Sequence, residues 1–149
     1  MEVLIPSVQE HEFIHMGIRG AARRGDSYRA GKWVKVALSI CLEGYQVQFS
    51  GWLLHTMKLA AFRNQLVDLY EYHAGLAMLK GSDGVLVLKA DYSEAGLIAW
   101  QGWTVWPITD GHTLYFRFDA ALASLYPLIV QLDAVIEKYH THNEYSTKE

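Results

Sequence analysis

The sequence predicts an α+β domain in which an antiparallel sheet of about six or seven strands is covered on one face by two helices. Three observations predict this. From Lys32 to Leu42 apolar residues recur at every second position, the period of a half-buried strand. Leu59, Phe62, Leu66, Leu69, Tyr70 and His73 instead recur at three- and four-residue steps, the stripe of an amphipathic helix. A second such stripe, Leu128, Ile129, Leu132, Val135, Ile136 and Tyr139, follows Pro127. The remaining apolar segments are short and bounded by Gly, Asp and Ser, as in a meander of strands rather than a βαβ alternation.

Taken in order, Glu12–Arg19 alternates weakly, with Ile14, Met16 and Ile18 on one side, and reads as a first strand. The stretch from Gly20 to Gly31 is polar and Arg-rich and reads as a loop. The strand from Lys32 to Leu42 places Val34, Val36, Leu38, Ile40 and Leu42 on the core face. Glu43-Gly44 is a turn, after which Tyr45, Val47, Phe49 and Leu53 alternate with Gln46, Gln48, Ser50 and Trp52, so the two strands form a hairpin. The first helix begins near His55–Thr56 and closes before Gly75. Leu76–Leu79, Val85–Ala90 and Leu97–Val105 are strands separated by turn-forming residues, and Thr113–Phe118 directs Leu114, Phe116 and Phe118 inward. The last helix spans about Leu125–Tyr139, with Pro127 in its first turn and Ser124 as N-cap.

The chain of 149 residues is expected to form one domain over 1–149, its core at about 11–139 and a polar tail at 140–149. Thirteen Lys and Arg against 16 Asp and Glu give a net charge of −3, which supplies no global field for nucleic acid. The local cluster of Arg19, Arg23, Arg24, Arg29 and Lys32 has only Tyr28 as a stacking partner and reads as a solvated loop. The single cysteine, Cys41, sits in a strand as a small hydrophobe, as expected in a reducing compartment. There is no signal-peptide pattern and no run near the ~18 apolar residues of a spanning helix, so a cytoplasmic address is expected.

His11-Glu12-Phe13-Ile14-His15 matches the HExxH pattern in which one helical turn presents two imidazoles to zinc. Its surroundings favour a strand, where residues four apart lie about 13 Å apart and cannot share an ion. His112, His140 and His142 read as surface residues, and His73 as a cap or packed residue. With no GxSxG elbow and no phosphate-binding glycine loop, neither catalytic residues nor a cofactor is expected. An enzyme with its pocket between sheet and helices, supported only by His11 and His15, and an oligomerisation module using an aromatic sheet face stay open as alternatives.

Trp100, Trp103 and Trp106 stand at three-residue steps in one strand, so parity sends Trp103 to one face and the other two to the opposite face. If the second face is exposed, Trp33 or Trp52 joins an aromatic surface there.

Several segments resemble the WapI-like immunity proteins, bacterial antitoxins encoded beside polymorphic or contact-dependent toxins. The likeness runs from about Lys32 to Tyr139. It rests on the Trp-Val-x-Val start of a strand at Trp33–Val36, on Leu59, Phe62, Gln65, Leu66, Leu69 and Tyr70 followed by Gly75-Leu76-Ala77, and on Leu114–Phe118 followed by Leu125-Tyr126-Pro127. Leu122-Ala123 replaces the Asp-Gln pair common in the family before the last helix, and the three-tryptophan strand is a further departure. The resemblance implies a protein that binds the C-terminal domain of one cognate toxin and blocks it without enzymatic activity; the charge balance and the short apolar runs add the expectation of no nucleic-acid partner and no membrane association. The expected partner-binding residues are Asp91, Glu94 and Asp110, on an irregular edge, together with Trp100 and Trp106.

Overall fold

A computed structural model describes residues 1–22 and 31–141, with side chains through Tyr139. The α+β class is as the sequence predicts, but the described residues contain eight strands in two four-stranded antiparallel sheets instead of one sheet of six or seven. The chain runs through the same order of elements twice. Strands β1 (Glu2–Pro6), β2 (Phe13–Ala22), β3 (Trp33–Leu42) and β4 (Tyr45–His55) form a meander that leads into helix α1 (Thr56–Tyr72). Strands β5 (Leu76–Lys80), β6 (Leu86–Tyr92), β7 (Leu97–Trp106) and β8 (His112–Ala121) form a second, which leads into α2 (Leu125–Ile136).

The alternation in β3 works as expected, since Val34, Val36, Leu38 and Ile40 are all buried. In β4 it is broken by a bulge. Lys35 opposes Trp52 while its neighbour Val34 opposes Leu54, which leaves Leu53 as the extra residue and buries both leucines. Strand β1 escaped the sequence analysis because five residues carry too little periodicity to read. Its Val3 and Ile5 are nevertheless 1% exposed, so the core begins before residue 11.

Helix α1 buries Leu59, Phe62, Leu66 and Leu69 on one stripe, and its ends are fixed by two histidines. His55 Nδ1 accepts from the Met57 N–H at 3.1 Å as the N-cap, and His73 closes the helix in the left-handed region at φ 55°. The adjoining Thr56 is buried and ties the helix start to the segment before β3. Its N–H donates to the Lys32 carbonyl and its hydroxyl accepts from the Lys32 N–H, both at 2.9 Å. Helix α2 starts at Leu125 as expected, but Ser124 does not cap it. The Ser124 hydroxyl donates instead to the Ala121 carbonyl at 2.6 Å, and a 3₁₀ turn over Leu122–Ser124 feeds the helix directly. Beyond Ile136 the chain widens into a π-turn, Glu137–Thr141, rather than staying regular to Tyr139.

The inner faces of both sheets and the buried stripes of both helices meet in one apolar cluster. The sheets touch directly where Phe49 of β4 stacks on Trp106 of β7, with ring centroids 4.5 Å apart. The helices pack on each other, and Arg63 and Asp133 pair across them through a 2.6 Å bond. Each helix also supplies a glutamine to the first strand of the sheet it does not follow. The N–H of Leu4 in β1 donates to Gln131 Oε1 of α2, and the N–H of Met78 in β5 donates to Gln65 Oε1 of α1, both at 2.8 Å. These two bonds occupy donors on strand edges that would otherwise be available to another chain.

Candidate functional site

The second sheet has an inner face, closed by α1 and the first sheet, and an outer face that no element of the described residues covers. Strand parity distributes the tryptophans between them as the sequence predicts: Trp100 and Trp106 point inward and Trp103 outward. Both tryptophans expected at the interface, Trp100 and Trp106, therefore lie on the inner side. Trp100 is 0% exposed, packs edge-on against Phe62 of α1 and lies between Ala90 and Phe118, so it is a core residue. Trp106 is half-buried, its ring committed to Phe49. The tryptophan that faces out is Trp103.

The antiparallel register arranges the outer face in rows. One row is Lys80, Val87, Trp103 and Tyr115; the next is Met78, Lys89, Gln101 and Arg117; the third is Leu76, Asp91, Ala99 and Asp119. Successive rows lie two residues apart along each strand, about 7 Å. Tyr115 is 74% exposed, and its ring centroid is 6.0 Å from that of Trp103. The Lys89 ammonium sits 5.6 Å from the Trp103 centroid, within cation–π range. None of Lys80, Lys89 and Arg117 forms an ion pair with a described residue, and the face is therefore banded as aromatic, cationic and acidic.

The three acidic residues expected on one edge are placed apart. Asp91 and Glu94 lie at the β6–β7 turn, and Asp110 in the β7–β8 loop, at opposite ends of β7. Asp91 stands opposite Ala99, seven residues before Trp106, which puts the two groups more than about 20 Å apart. Trp33 and Trp52 lie on the first sheet and do not join Trp103; Trp33 packs edge-on against His55.

The histidines of the HExxH pattern occupy different structures. His11 is in an exposed turn, whereas His15 is in β2 and pairs with Glu2. Glu12 accepts from the Ser7 hydroxyl and the Glu43 N–H. Among the described residues no three His, Cys, Asp or Glu side chains converge on a point. Cys41 is half-buried on β3. His73 stacks on Tyr92 with ring centroids 5.1 Å apart, in keeping with a cap. Arg23, Arg24, Arg29, Tyr28 and His142 lie outside the described residues. Among the described residues no helix is long and apolar enough to cross a membrane.

No curated protein matches the chain. The model of the immunity protein WapI-like family matches residues 7–140, which takes in seven of the eight strands and both helices. With that span matched, the resemblance seen in α1, β8 and the start of α2 becomes an identification: the chain belongs to the WapI-like family of immunity proteins.

Proposed function

We propose that this chain is a stoichiometric antitoxin that binds the C-terminal toxin domain of a cognate secreted protein in the cytoplasm and blocks it without chemistry of its own. The observation that carries the reading is membership of an immunity protein family over residues 7–140. The surface supports it, because an exposed sheet face bearing Trp103 and Tyr115 is of the kind that a protein partner buries. Asp91, Glu94 and Asp110 ring this sheet at its two ends, where charges steer encounter rather than anchor it. Trp106 lies beside the β7–β8 loop and shapes that end from within.

The test is co-expression with the last stretch of roughly 100–150 residues, one domain's length, of the large secreted protein encoded beside this chain. Cells carrying both fragments are expected to survive and cells carrying the toxin fragment alone to die. Death with or without this chain would refute the reading.

A further inference from the structure

We infer that the outer face of the second sheet is the toxin-docking surface, and that the toxin surface seated there presents carboxylates around a large apolar or aromatic anchor side chain. The inference rests on the antitoxin reading above and adds to it the place of contact and the chemistry of what is contacted.

The first ground is charge without an internal partner. Lys80, Lys89 and Arg117 surround Trp103 and Tyr115, and none of them is neutralised by a described residue. On the helix pair, by contrast, Arg63 is already engaged by Asp133. In a chain of net charge −3, a local group of three cations that no described carboxylate pairs with, beside two aromatic rings, is complementary to an acidic partner surface.

The second ground is shape. Beside the Trp103 and Tyr115 rings lies a recess of about 280 Å³, also lined by Lys89, Gln101, Gly102 and Phe116. It falls just below the roughly 300–1,000 Å³ of small-molecule sites, while a protein interface commonly seats one anchor side chain in such a depression. The first sheet carries a recess too, of about 390 Å³, but the one aromatic residue in its lining is Phe49, whose ring is stacked on Trp106.

The third ground separates a protein from a nucleic acid. Aromatic residues with cations also make a platform for single strands. Here Asp91 and Asp119 form the adjoining row about 7 Å away, where they repel a phosphate backbone but fix the register of a protein surface of mixed charge.

The experiment measures Kd for the catalytically inactivated toxin fragment against wild type, Trp103→Ala, the double variant Lys89→Glu/Arg117→Glu, and Gln48→Glu on the first sheet as control. A fluorescent 20-mer of oligo-dT serves as the second probe. The expected result is that Trp103→Ala weakens toxin binding roughly thirty-fold or more. The charge-reversed pair should weaken it at least about ten-fold, most strongly at low salt, and Gln48→Glu should change nothing. Circular dichroism and thermal unfolding confirm that each variant is folded, and the charge reversal at half-buried Lys89 and exposed Arg117, which removes no core side chain, keeps the test valid if Trp103→Ala is not. Wild-type binding with both face variants within about three-fold of it would overturn the docking surface and leave the antitoxin reading standing. Absence of wild-type binding would overturn the reading itself. Oligonucleotide binding that is lost in Trp103→Ala would reassign the face to nucleic acid.

Discussion

Trp100→Ala is expected to lower the stability of this protein by about 3–5 kcal/mol, the cost of deleting a large buried aromatic side chain. The ring is wholly buried, meets Phe62 of α1 edge-on and sits between Ala90 and Phe118 in the middle of the second sheet. The void would open where sheet and helix meet, and neighbours held by two ladders collapse into it only partly. Against a total stability of about 5–15 kcal/mol, the loss brings the variant close to unfolding. Trp100→Phe should cost under about 2 kcal/mol, because it keeps a ring and removes an indole N–H that finds no acceptor among the described residues. Urea denaturation of the three proteins checks the order wild type, Phe, Ala. An alanine variant with the wild-type midpoint would show that this ring is not in the core.

Gly102→Ala is expected to be at least as damaging for its size, at about 3 kcal/mol or more. A Cβ at this position would lie 1.9 Å from the Val87 carbonyl oxygen and 3.2 Å from Phe116 Cζ. The first obstacle is backbone of the paired strand, so no rotamer change relieves it; β6 and β7 would have to part. The cross-strand Phe116 covers the space that the glycine leaves, as an aromatic ring does when it shields a backbone lacking its own side chain. Gly20→Ala in β2 is the matched control. No described residue lies within 4 Å of its Cβ position, and the change should stay within about 0.5 kcal/mol. Equal midpoints for the two variants would contradict this account of the β6–β7 contact.

Both variants bear on what could be read from the chain alone. Alternation in β3 and the three-four stripe of α1 were legible because a single face of each element is buried, so side-chain polarity reports backbone geometry directly. The division into two sheets was not, since periodicity tells which side of a strand is apolar and nothing of which strand lies next to it. A strand as short as Glu2–Pro6 is fixed by tertiary pairing with β2 and by the Gln131 seal rather than by pattern. The cap at Ser124 failed because the 3₁₀ turn before it gave the hydroxyl a nearer carbonyl.

The site shows the same boundary. Parity separated Trp103 from Trp100 and Trp106 correctly, but which face was core depended on where α1 packs, and Phe62 lies on the Trp100 side. Asp91 and Asp110 are both acidic residues near turns; only the length of β7 between them shows that they mark opposite ends of a face. The cations Lys80, Lys89 and Arg117 come from three strands and two adjoining rows, and their grouping exists only in the register.

On the proposed antitoxin reading, the protein occupies its toxin mole for mole. Titrating a fixed amount of active toxin fragment with purified protein, well above the Kd, tests it most directly. The account predicts a linear fall in toxin activity to an end point at one equivalent, with a 1:1 complex in light scattering. Complete inactivation at a small fraction of an equivalent, or protection with no complex formed, would contradict it and point to turnover instead of binding.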